Sequence, residues 1–267
     1  MNRCWGLLFL TVPLLGTGAY LMAALRIPPL ENCWLPENYS VAGQAIDHLW
    51  YVTHWIAAGV FVVTGLVLGG VVWRYGRPGT KLAAYFHHHF GLEIIWSLVA
   101  GSILIFLAFY QMESWAENKM SRPMIQLAGH DVPRPPLVKV VAKRFGWEFF
   151  HAGLDGKLDT PDDIYMENRL IVPHSEDVVL QLESIDVIHS LFVPGLRLKQ
   201  DIVPGMVQTV WFRATQAVEL EIVCTELCGW GHYTMQGRLQ LVSRAEYDAW
   251  ILEQMKLRQS IGSEAAQ

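Results

Sequence analysis

Three long, uncharged apolar stretches occupy the first 112 residues: Trp5 to Leu25, Leu49 to Trp73 and Ile94 to Met112. Each approaches or exceeds the roughly 20 residues that carry a helix across a bilayer. No comparable run follows Met112, and the pattern changes to short β-branched segments between turn residues. Leu137–Ala142, Arg169–Val172, Val178–Ser184, Met206–Phe212, Val218–Val223 and Arg238–Val242 read as strands. In the third of these, Val178, Leu180 and Leu182 alternate with Val179, Gln181 and Glu183, the period of a half-buried strand. Several short strands at such intervals predict a β-sandwich. Ser243 and Glu246 make a capping box that opens a last helix, with Trp250 and Ile251 on its apolar side. The predicted class is an α+β membrane protein, a transmembrane helical hairpin followed by a β-sandwich.

Charge orients these pieces. Arg74, Arg77 and Lys81 lie in the short loop between the second and third stretches, which the positive-inside rule places in the cytoplasm. Both ends of the hairpin, residues 46–112, then face outward, and residues 113–267 form an extracytoplasmic domain entered through the stiff Val132-Pro-Arg-Pro-Pro136 segment. Residues 1–25 read as a signal peptide or an additional membrane helix. Arg3, the apolar run and the small Ala23 and Ala24 make cleavage the favoured reading. Residues 111–267 hold 15 Lys and Arg against 21 Asp and Glu, an acidic balance that either attracts a cationic partner or only aids solubility. The chain is 52% apolar and 17% charged, with no C-x-x-C-H haem attachment, no phosphate-binding or hydrolytic motif and no internal repeat. No nucleic-acid partner is expected. Cys4 and Cys33 have no evident partners, so disulfides do not hold this fold together.

The chemistry is concentrated in Cys224-Thr-Glu-Leu-Cys228-Gly-Trp-Gly-His232-Tyr-Thr-Met235, a C-x3-C-x3-H-x2-M pattern. Thiolate with thioether favours copper over magnesium, calcium or manganese. The spacing does not suit a zinc ribbon of two facing C-x2-C knuckles. It suits a tight loop between strands whose two cysteines bridge two metal ions. A loop disulfide or redox dithiol explains the cysteines but leaves His232 and Met235 unused. A second imidazole is available from His189 in Glu183-Ser-Ile-Asp-Val-Ile-His189-Ser-Leu-Phe-Val-Pro194, although a lone histidine beside apolar residues is more often a core residue. A two-copper site needs a nitrogen cap on each metal, and the backbone carbonyl of Glu226 completes the set.

S-x-D-V-I-H-S-x-x-V-P, L-R-L-K-Q-D-x-V-P-G and C-T-E-L-C-G-x-G-H-Y-x-M together resemble subunit II of cytochrome c oxidase, over about Ile46 to Trp250. The ligand pattern is specific to proteins with a dinuclear CuA centre. The resemblance implies a cupredoxin fold and a copper pair held by His189, Cys224, Glu226, Cys228, His232 and Met235. Cytochrome c or a similar donor would reduce this pair. Electrons would pass to haem in subunit I, where oxygen becomes water and protons are pumped. It further implies other oxidase subunits as partners and a lipid membrane around the hairpin, the bacterial plasma membrane with the copper domain on its outer side. A magnesium ion shared with subunit I would bind the Glu226 carboxylate. Glu93, in Leu92-Glu-Ile-Ile-Trp96, matches the mouth of a proton pathway, and His87, His88 and His89 beside it read as a solvated run. Where the family usually has W-Y-W as the place electrons enter, this chain has Phe145-Gly146-Trp147, so Trp147 and Phe145 are the candidates. Met206 and Val99-Ala100 are lesser departures from the family's pattern. The copper-bearing part of a nitric oxide reductase is the second reading, and a copper carrier or sensor is a third. The carrier would not need the distant His189.

Overall fold

A computed structural model describes residues 2–76 and 85–265, with side chains for residues 4–76 and 85–260. Arg77 and Lys81, part of the charge argument above, lie outside the described residues. The chain divides into two units, one of residues 1–35 and 47–113, the other of residues 36–46 and 114–267.

The first unit is helical. Helices α1 (Asn2–Ala24), α2 (Val41–Tyr75) and α3 (Phe90–Trp115) are each long and apolar enough to cross a membrane. Large apolar side chains such as Leu15, Val63, Leu98 and Leu104 are exposed on them, as expected of surfaces solvated by lipid. Helix α1 runs antiparallel to α2 along small residues. A Cβ added to Gly65 would meet Pro13 at 2.2 Å, one on Gly69 would meet Leu10 at 2.7 Å, and one on Gly6 would meet Trp73 at 3.1 Å. Gly65 and Gly69 thus form a small-xxx-small face that brings the two backbones close. Near one end of this pair, Trp34 donates to the Tyr51 hydroxyl at 2.8 Å and packs edge-on against Tyr20 and Trp50. Such amphipathic rings suit a membrane–water boundary.

The second unit is the sandwich. A π-helical turn (Ala116–Met120) leads into a small hairpin, β1 (Met124–Leu127) and β2 (His130–Pro133). Then come β3 (Val138–Lys143), β4 (Gly146–His151), β5 (Ile164–Glu167), β6 (Arg169–Pro173) and β7 (Asp177–Ser184). The chain continues through β8 (His189–Val193), β9 (Leu198–Ile202), β10 (Gln208–Arg213), β11 (Val218–Cys224) and β12 (Gln236–Val242). One sheet has the order β10-β7-β3-β4-β5 and the other β6-β12-β11-β8-β9. The β3–β7 and β6–β12 pairs are parallel and the remaining pairs antiparallel.

The core between the sheets follows the period of two. Val138, Val140 and Ala142 of β3, Leu180 and Leu182 of β7 and Leu239 and Leu241 of β12 are all buried together. The final helix α4 (Arg244–Ala265) starts at the expected capping box, where the Ser243 backbone N–H donates to the Glu246 carboxylate at 2.8 Å. Its Tyr247 and Ile251 cover a second apolar cluster with Ile164 and Ile171.

Candidate metal centre

The C-x3-C-x3-H-x2-M segment connects β11 to β12, which are hydrogen-bonded neighbours, so its two ends are held together. The Cys224 N–H donates to the Met235 carbonyl at 3.2 Å, and the Thr225 N–H ties the loop to Ser190 of β8 at 3.1 Å. Inside the loop, a 3-10 turn spans His232–Thr234. Gly229 has φ +143°, a conformation that side chains rarely adopt, and a Cβ on Gly231 would lie 2.6 Å from the Phe145 ring. Both glycines therefore let the loop fold tightly beneath Phe145.

This folding gathers four further donor atoms around the two cysteine sulfurs. Cys224 Sγ lies 3.9 Å from Cys228 Sγ, 3.9 Å from His189 Nδ1 and 3.3 Å from the Glu226 carbonyl oxygen. Cys228 Sγ lies 3.5 Å from His232 Nδ1 and 3.9 Å from Met235 Sδ. Among the described residues, His189, Cys224 and Cys228 are the set whose ligand atoms all fall within 4.8 Å of one another. Two soft sulfurs side by side, each with its own imidazole and one weaker donor, fit two copper ions better than one hard cation. Both cysteines are free thiols. Burial, then the neighbouring Cys224, pushes the Cys228 thiol up to about 11, so a metal must displace a firmly held proton there.

His189 is fully buried, and its ring is fixed from behind. Nε2 donates to Asp186 Oδ1 at 2.8 Å, which leaves the Nδ1 lone pair turned toward Cys224. Partial burial of Asp186 opposes ionisation. The hydrogen bond from His189, the Arg144 and Val187 backbone N–H groups and the Arg144 side chain outweigh it and hold the carboxyl well below the usual range. Asp186 and Arg144 were not singled out from sequence. The D-V-I-H spacing carried the signal, because an acid three residues ahead of a ligand histidine can reach its far nitrogen.

The other expected site residues are placed differently. Trp147, expected as an exposed aromatic, is not exposed. It is 0% exposed, because the β3–β4 register turns Trp147, Phe149 and His151 inward and Glu148 and Phe150 outward. Its ring lies 6.4 Å from His189, edge-on, as part of the wall behind the histidine. Phe145 is 38% exposed and lies on the ligand loop. The Glu226 side chain is exposed. Glu93 belongs to the first turn of α3, where its carboxylate accepts the His89 N–H at 3.3 Å with His88 3.9 Å away.

Comparison with known proteins identifies the family. Residues 28–113 match the family of the cytochrome c oxidase subunit II transmembrane domain, and residues 156–242 match that of its periplasmic domain. The alternative cytochrome c oxidase subunit 2 of Bradyrhizobium diazoefficiens is 30% identical over 237 residues, covering 79% of this chain and 80% of its own. Cytochrome c oxidase subunit 2 of Cereibacter sphaeroides is 30% identical over 227 residues, covering 73% and 71% respectively. That of Alkalihalophilus pseudofirmus is 29% identical over 255 residues, covering 94% and 67%. Three helices able to cross a membrane and an outward-facing sandwich complete the likeness, and the chain belongs to the cytochrome c oxidase subunit II family.

Proposed function

We propose that the loop holds a dinuclear copper centre through which this subunit receives electrons from cytochrome c or a similar donor and passes them to haem in subunit I. The observation that carries this reading is the convergence of four donor atoms on two adjacent sulfurs, all at 3.3–3.9 Å. Cys224 and Cys228 as thiolates, His189 and His232 through their imidazoles, and Met235 Sδ with the Glu226 carbonyl would hold the metals. When bound, such a pair supplies one-electron exchange. The chain's own contribution is to keep that exchange from demanding movement. Loop ends tied to β8 and β12, a buried Met235 and the Asp186 clamp on His189 all limit ligand displacement. Oxygen reduction and proton pumping would belong to the assembled oxidase, with Glu93 as a proton acceptor at the cytoplasmic face and the Glu226 carboxylate available to a magnesium ion shared with subunit I.

The test is to purify the full chain in detergent, add copper, and measure stoichiometry with the electron paramagnetic resonance spectrum. Two coppers per chain with one unpaired electron shared over both is the expected outcome. One copper with a localised signal would overturn the reading and favour a carrier.

We also propose that residues 46–112 are the membrane hairpin and 113–267 the extracytoplasmic copper domain, with α1 retained as a third membrane helix rather than cleaved. The glycine face of α2 against Pro13 and Leu10 supports retention, since it would otherwise expose backbone to lipid. The mass of the mature chain decides: loss of about 25 residues, the length a cleaved leader would have, sinks this proposal.

A further inference from the structure

Three large apolar side chains project from the ligand loop: Leu227 is 79% exposed, Trp230 90% and Tyr233 71%. A single exposed apolar residue needs no explanation. Here all three stand within seven residues of one another, on the one loop that carries four ligand side chains. Trp230 is the most exposed of them and lies between Gly229 and Gly231, both of which pack on the Phe145 ring. One residue of backbone separates Trp230 from Cys228 on one side and from His232 on the other. Meanwhile Trp147, the tryptophan of the aromatic segment, cannot reach a partner from inside the core.

We infer that Trp230, seated beside Phe145, is the contact through which a soluble one-electron donor protein reduces this subunit. The inference rests on the copper reading above. The partner it fits has an apolar rim around its redox group, to pack on the indole, and basic residues outside that rim. The acidic balance of residues 111–267 favours a cationic partner, and Asp186 already engages the Arg144 guanidinium beside Phe145. The step moves one electron from donor to copper pair. The donor is oxidised by one, the pair is reduced by one, and no bond or proton changes place. A flat, rigid aromatic at the centre of a small interface is the residue type that dominates binding energy, and it brings electron-conducting atoms within contact of the donor.

The experiment compares the purified, assembled oxidase with its Trp230→Ala and Trp230→Phe variants, using a basic mono-haem cytochrome c as donor. Binding of the oxidised donor is titrated at high salt, which screens the long-range attraction and leaves the contact. Stopped-flow mixing then reads oxidation of the reduced donor. Trp230→Ala is expected to weaken binding by about tenfold, as for loss of an interface anchor, and to slow donor oxidation by at least about tenfold. Trp230→Phe should stay within about threefold of the parent on the same scale. Copper content and paramagnetic spectrum should be unchanged in both, since no ligand is altered. Unchanged binding and oxidation in Trp230→Ala would overturn the inference while leaving the copper reading intact. Loss of the haem-bearing subunit from Trp230→Ala would also overturn it, by placing Trp230 between subunits. A parent oxidase with no copper pair would remove the reading beneath it.

Discussion

The sandwich contains two fully buried histidines, and strand β4 passes both. At its start Trp147 lies against His189; at its end sits His151, edge-on to Trp250 at 4.9 Å. The two environments differ in one respect. His189 has a use for each ring nitrogen, Nε2 on Asp186 and Nδ1 facing Cys224. Neither nitrogen of His151 has a hydrogen-bond partner among the described residues, and the nearby Tyr247 hydroxyl is likewise unpartnered. Burial alone pushes the His151 pKa down to about 3, so it remains a neutral ring in an apolar cluster. Burial of an imidazole therefore says nothing about function by itself. A carboxylate behind one nitrogen and a sulfur before the other separate the candidate metal site from the packing site.

Removing the metal-side ring should have the largest effect. His189→Leu is expected to abolish the shared-electron copper signal and to lower donor oxidation by more than about a hundredfold, beyond what loss of a mere ligand partner causes. A full spectrum in that variant would show that the copper pair is held without His189. Asp186→Ala makes His189 resemble His151, leaving Nε2 unpartnered while every ligand remains. Copper affinity, read by competition with a chelator, should fall by about 10- to 100-fold, with a changed paramagnetic spectrum. Unchanged affinity would mean that the wall of Trp147 holds the ring unaided.

How much of this was legible in sequence depends on whether a feature is local. The membrane stretches and the ligand loop are contiguous, so their residues could be read directly. The six strands with β-branched runs are legible, but the aromatic β4, the four-residue β5, β8, which begins at His189, and β9 are not, because they lack such a run or read as chemistry and as a motif. The tight turn at Ala128 and Gly129, both with positive φ, gave too small a hairpin to find by periodicity. The direction of Trp147 was hidden for a different reason. Only the pairing of β4 with β3, Trp147 opposite Ala142, turns that side chain inward. Asp186 escaped notice because its role depends on which nitrogen of His189 it meets, a matter of orientation and not of spacing.

The packing histidine offers a pH test. Its folded-state pKa is depressed to about 3 from an ordinary 6.5, so between these values the unfolded chain binds a proton that the folded chain refuses. Stability from this source is complete above about pH 6.5 and is lost progressively as pH falls toward 3. His151→Phe removes that loss. In thermal unfolding of the copper-free full chain in detergent, the variant should gain on the parent by a few kcal/mol between pH 7 and pH 4, on the order expected of a shift of this size. A parallel pH dependence in both proteins would show that His151 is protonated, and partnered, in the folded state.

The smallest expected effect sharpens the comparison furthest. Tyr247 lies against the same cluster, 2% exposed, with the Arg244 guanidinium over its ring at 5.7 Å. Burial holds its hydroxyl pKa well above the ordinary tyrosine value, against the opposing pull of Arg244. A hydroxyl with a protein partner contributes about 1 kcal/mol, and removing it leaves that partner unsatisfied. A hydroxyl without one loses nothing when removed and relieves a desolvated polar group. Tyr247→Phe keeps the ring, the cation contact and nearly the whole volume, so unfolding should shift by less than about 1 kcal/mol, in the stabilising direction. A loss above about 1.5 kcal/mol would show that the hydroxyl is hydrogen-bonded after all, through buried water. The cluster around His151 would then be a polar network like that of His189, and the contrast between the two ends of β4 would fail.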